Sequence, residues 1–146
     1  MSWTVVLPVA LTLCVSACGG TEPEGNMGPW VGDWVQVNFL SIDDHGMWDE
    51  DDLSGIGFVM EITETQWTDT DDHGDGCSVT YSYSVSDGNR YSRKPTGVGS
   101  RCPFPLEALP SPETGRLEFS GDNRFMIQWF DPIPGDEIVA FKFVRR

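Results

Sequence analysis

Apolar and polar residues alternate with a period of two over much of the chain, and that alternation sets the predicted elements. It is clearest over residues 78–85, where Val79, Tyr81, Tyr83 and Val85 share one face and Ser78, Thr80, Ser82 and Ser84 the other. That rhythm describes a strand with one buried and one wet face. A second run sets Ile56, Phe58, Met60 and Ile62 against Gly57, Val59, Glu61 and Thr63 and reads the same way. Further strands are expected at 33–40, 89–94, 115–120, 124–130 and 137–145. In the last, Val139, Phe141 and Phe143 should face inward and Lys142 outward. Asp87-Gly88-Asn89 and Gly121-Asp122-Asn123 place residues that tolerate positive φ between alternating runs, a hairpin signal. The Pro- and Gly-bearing residues 131–136 turn the chain into its last strand. No stretch repeats with a helical period. The expected fold is all-β: a small antiparallel up-and-down barrel of about seven to eight strands with little helix.

In a seven-strand meander the connections alternate between two ends. Those at 68–76, 95–112 and 131–136 share one end; those at 42–54, 87–89 and 121–123 share the other. Two of these connections are strongly acidic. One holds Asp43, Asp44, His45, Asp49, Glu50, Asp51 and Asp52, and the other Asp69, Asp71, Asp72, His73 and Asp75. The spacing Asp69-x-Asp71-x-His73-Gly74-Asp75 is similar to the opening of an EF-hand calcium loop, but Thr80 stands where the bidentate Glu belongs. Asp69, Asp71 and Asp75 are therefore a loose Ca²⁺ candidate at most, beside the alternative of a solvated loop. The tetrapeptide Asp-Asp-His-Gly occurs at 43–46 and at 71–74, and seven-strand parity puts the copies at opposite ends. A zinc site from His45 and His73 is disfavoured on the same ground.

Catalysis has little to draw on. Both histidines sit in acidic loops, and the serines of 78–84 point to solvent with no base at fixed register. The chain carries a formal charge of −14. That much negative charge repels nucleic acid and keeps a domain soluble, and a monomer is expected. Met47 and Trp48 form an apolar pair inside the first acidic loop. They read either as a binding lip or as a plug over the barrel mouth.

The start of the chain has a different texture. Residues 5–13 are almost wholly apolar, too few to span a bilayer as a helix but suited to the apolar core of a signal peptide. Val15-Ser16-Ala17-Cys18 follows and resembles the lipobox of bacterial lipoproteins. That resemblance implies a leader over 1–17, lipid on Cys18, and a flexible tether over 18–29. The domain would occupy 30–146. It also implies an address in the cell envelope, with Gly19 rather than Asp after the cysteine favouring the outer membrane, facing the periplasm or the surface. A plain secretory signal cut near Ala17 is the alternative. A tether of this composition reaches roughly 15–20 Å. With Cys14 lost and Cys18 acylated, Cys77 and Cys102 remain as a pair, which seven-strand parity puts at one end. Closing that loop should stabilise the fold by about 3–4 kcal/mol.

Gly32-Asp33-Trp34 resembles the Gly-x-Trp signature of lipocalins and of lipocalin-like bacterial lipoproteins. The resemblance implies that Trp34 closes one end of the barrel, with a basic residue of the last strand, Arg145 or Arg146, across its indole. It further implies a non-catalytic, lipid-anchored binding domain for a small apolar molecule or another envelope protein. Two alternatives stand beside it: a lipoprotein resembling small protease-inhibitor barrels, and a structural envelope protein with no ligand. An internal apolar cavity of about 300 Å³ or more favours the carrier.

Overall fold

The computed structural model describes residues 27–42, 45, 46, 48–53, 55–133, 135 and 137–146. The expected leader, Cys18 and most of the tether lie outside the described residues, as do Asp43, Asp44 and Met47. Of Trp48 only the backbone is described.

Among the described residues there are nine strands: β1 Gly32–Ile42, β2 Trp48–Asp52, β3 Val59–Ile62, β4 Trp67–Thr70, β5 Ser78–Ser86, β6 Arg90–Val98, β7 Glu113–Phe119, β8 Phe125–Phe130 and β9 Ile138–Arg145. All pairings are antiparallel. From β3 to β9 each strand pairs with the next, and β9 returns to β1 to close the ring. β2 and β3 run along the same edge of β1, Ile42 pairing with Trp48 and Val35 with Val59. They are one interrupted strand, so the barrel has eight staves. Among the described residues helix is confined to two short 3₁₀ turns, Asp87–Asn89 and Leu106–Ala108.

The alternating runs fold as their pattern demands. Val79, Tyr81 and Tyr83 of β5 are buried while Ser82 and Ser84 are exposed. Met60, Ile62 and Phe143 are among the most buried side chains. β1 slips register between Gln36 and Asn38. That extra residue lets Trp34 and Gln36 face inward below it, opposite Arg145 and Phe143, and Phe39 face inward above it, opposite Phe141. β6 runs past Pro95 to Val98, beyond the expected stop at Lys94. A second register shift beside Thr80 and Tyr81 absorbs a proline that cannot donate to the ladder.

Three expectations need correction. Ile56 is in a turn and exposed, not on a strand. The acidic residues 48–52 form a strand, because the outer half of β1 offers them a backbone edge to pair with. Residues 67–70, expected partly as loop, form β4. The additional stave inverts the parity of everything before it. The β1–β2 connection therefore shares a rim with those from β4 to β5, β6 to β7 and β8 to β9, so His45-Gly46 of the first Asp-Asp-His-Gly copy and residues 71–74 of the second lie at the same end. His45 and His73 are both exposed there.

The opposite end is closed. Trp34 has no exposure and donates its Nε1–H to the Trp30 carbonyl at 2.8 Å. The Arg145 guanidinium lies 4.3 Å from the Trp34 ring centre. It donates to the carbonyls of Val31 at 3.0 Å, Pro29 at 2.6 Å and Asn123 at 3.1 Å. One side chain thus ties the entering chain to the turn before β8. Gly32 explains the glycine of the signature: its φ is +144°, and a Cβ there would come within 2.4 Å of Arg145 Nη1. The end of the expected tether, Gly28 and Pro29, belongs to this closure.

Replacing Arg145 by Ala removes three hydrogen bonds and the cation–π contact and should cost about 2–4 kcal/mol. Arg145→Lys should recover less than half, because an ammonium cannot span three divergent carbonyls while lying flat on an indole. Urea denaturation of the two variants checks this; equal stability of Arg145→Lys and the parent would contradict it.

Candidate functional site

Above the closed end the barrel interior is layered. A tight apolar core of Trp34, Met60, Ile62, Leu117, Met126 and Phe143 fills the lower half. Trp67 and Tyr91 cover it, their rings 5.4 Å apart. A polar layer follows. Gln128 donates to the Tyr91 hydroxyl at 3.2 Å, and Gln36 Oε1 accepts the Phe58 backbone N–H at 3.2 Å.

The centre of this layer is Arg93, only 4 % exposed and pointing into the barrel from β6. Its Nε donates to Glu113 Oε1 at 2.7 Å and its Nη1 to Asp69 Oδ2 at 2.8 Å. Asp69 is oriented in turn by the Trp67 Nε1–H, which reaches its Oδ1 at 2.8 Å. The guanidinium carbon lies 4.0 Å from the Tyr81 ring centre and 4.7 Å from that of Trp67. Burial opposes the charge, but the two carboxylates outweigh that cost and raise the Arg93 pKa above the ordinary arginine value. Burial likewise pushes the Tyr81 phenol up to about 12, against the lowering influence of Arg93. Tyr91 is raised further, again chiefly by burial.

Over this layer lies a cavity of about 470 Å³. Phe58, Tyr81, Phe104, Phe130 and Phe141 supply aromatic walls; Arg93, Asp69 and Glu113 supply the floor; Asp71 and Asp75 stand at the mouth. Two floor atoms are uncommitted. Neither carboxylate takes Arg93 Nη2, and Glu113 keeps Oε2 free of Arg93. Among the described residues, no buried side-chain nitrogen or oxygen lacks a hydrogen-bond partner. Arg93 and Glu113 both line the cavity and neither atom is sealed from solvent, so one can serve it as donor and the other as acceptor.

The disulfide forms one wall. Cys77 and Cys102 are bonded, S–S 2.08 Å. The bond and the Gly99 N–H to Ser78 carbonyl contact at 2.8 Å hold the Pro-rich segment against β5. Phe104 and Leu109 of that segment thereby pack on the core cluster.

The residues singled out from sequence are distributed unevenly around this site. Gly32, Trp34 and Arg145 meet at the closed end, remote from the cavity. Trp48 opens β2 opposite Ile42, on the open rim. Asp69, Asp71 and Asp75 all border the cavity but are not gathered as one cluster of ligands. Both oxygens of Asp69 are engaged, and Asp71 Oδ1 accepts the backbone N–H of His73 at 3.2 Å and of Gly74 at 2.9 Å, closing its own turn. No three carboxylate, histidine or cysteine side chains gather to hold a metal ion among the described residues. Sequence reasoning missed Arg93 and Glu113. The available signal was Arg93 itself: a cation two residues from Tyr91, on the apolar phase of its strand.

Comparison with protein-family models, with curated proteins and with solved structures finds no match to this chain. The site stands on its geometry.

Arg93→Met leaves two carboxylates inside the barrel without their cation and should cost about 3–5 kcal/mol. The triple variant Arg93→Met/Asp69→Asn/Glu113→Gln should be clearly more stable than the single one. Thermal and denaturant unfolding of both would show it; a single variant as stable as the parent would mean that the triad is not formed.

Proposed function

We propose that this chain is a lipid-anchored envelope lipoprotein whose lipocalin-like barrel binds a small apolar molecule without catalysis. The observation that carries the reading is the aromatic cavity above Arg93. Its volume of about 470 Å³ exceeds the bound set above for a carrier and lies within the usual range for small-molecule sites. It opens at the rim away from the chain's entry, so a ligand could enter while the tether side faces the membrane. Gly-x-Trp packed under a C-terminal arginine is the arrangement that the lipocalin resemblance implies. A disulfide suits an exported protein, and Cys18 supplies the anchor in this reading. An inhibitor-like or purely structural barrel would be expected to have a filled interior.

Native mass spectrometry of the full-length gene product, extracted from the membrane of its own host, tests both halves. The expected species begins at Cys18, carries acyl mass on that residue, and holds one small apolar molecule non-covalently. A species with an intact leader and no acyl mass would contradict the anchor. No bound molecule, together with no uptake of the neutral probe N-phenyl-1-naphthylamine, would contradict the carrier.

A further inference from the structure

The cavity has a sign as well as a shape. Four carboxylates border it, Asp69, Asp71, Asp75 and Glu113, against the single guanidinium of Arg93. With every carboxylate ionised, the lining carries three net negative charges. The rim loops add exposed Asp72, Glu107 and Glu137 against Arg101. On the floor Arg93 is already shared between two carboxylates, so its charge is more than offset where a ligand's polar end would rest. The free Glu113 Oε2 presents an acceptor there. The walls are built from the rings of Phe58, Phe104, Phe130 and Phe141, and aromatic rings attract cations.

We infer that the ligand of this cavity is a small organic cation with an apolar, aromatic-sized body, an amine rather than a fatty acid or a neutral hydrocarbon. The inference rests on the reading of the cavity as a binding site and adds the ligand's charge to it. An anionic amphiphile would bring a carboxylate into a lining already in negative excess. An ammonium group meets the opposite field, donates to Glu113 Oε2, and leaves the apolar body among the rings. Arg93 Nη2 remains as a donor for a hydroxyl or carbonyl on the same molecule.

Three probes of matched size separate the possibilities: 2-naphthylmethylamine, 2-naphthylmethanol and 2-naphthoate. Each is titrated against the full-length protein in nanodiscs near neutral pH. The same preparation of Leu109→Trp, in which the indole occupies the cavity from the disulfide-held wall, gives the background from membrane partitioning. The amine should bind at least about tenfold more tightly than the alcohol, and the naphthoate most weakly. In Asp71→Asn/Asp75→Asn, which leaves the floor intact, the ratio of amine affinity to alcohol affinity should fall at least about threefold, and an unchanged ratio would count against the inference. Equal binding of amine and alcohol, or tightest binding of naphthoate, overturns the inference and leaves the cavity reading standing. Binding of none of the three above the Leu109→Trp background overturns the cavity reading itself.

Discussion

An arginine side chain taken almost wholly out of water has to bring its partners with it, and in this barrel that requirement organises the interior. Arg93 draws Asp69 from β4 and Glu113 from β7 to the middle of the barrel, so one ion cluster links three staves. Its flat group lies over Trp67 and Tyr81, which sets how closely the rings below and above can approach. An apolar residue at this position would let the core continue upward. The charged layer stops it, and the space above remains open as a cavity. Such a cluster need not add net stability, since desolvation offsets much of the attraction. What it fixes is position.

The two ends of the barrel are built by opposite means. At the closed end, the Arg145 guanidinium is engaged by three backbone carbonyls and an indole. At the open end the long 99–112 connection is kept to one side by a disulfide and becomes a wall rather than a plug. The excess of acid at the mouth gives the opening an electrostatic character that a purely apolar calyx would lack. The proposed role as a carrier of small molecules, and the narrower one as a binder of amines, both follow from this division.

The fold was legible where one strand face was uniformly apolar, as in β5, where tyrosines and valines alternate with serine and threonine. It was illegible where a strand is made by partners distant in sequence. β4 has one large apolar residue, Trp67, and its other inward residue is Asp69, whose cation lies 24 residues on. β2 is a run of acids that becomes a strand because β1 presents an unpaired edge. Overlooking β4 reversed the parity of the first connection and sent the first acidic turn to the wrong rim. The closure by Trp34 and Arg145 was reached through resemblance, not through pattern. The cavity was beyond reach, since its floor depends on an inward charge and alternation treats charge as outward.

The space above Arg93 is an open chamber with aromatic walls and an ordered polar floor. Whether a ligand enters it can be read from intermolecular nuclear Overhauser effects between bound 2-naphthylmethanol and the protein. Contacts are expected from the naphthalene protons to the rings of Phe58, Tyr81, Phe104, Phe130 and Phe141, and none to the packed residues Leu117 and Met126. Contacts confined to the outer face of β8 and β9, around Phe125 and Ile127, or saturation of the probe without any contact to those five rings, would contradict it.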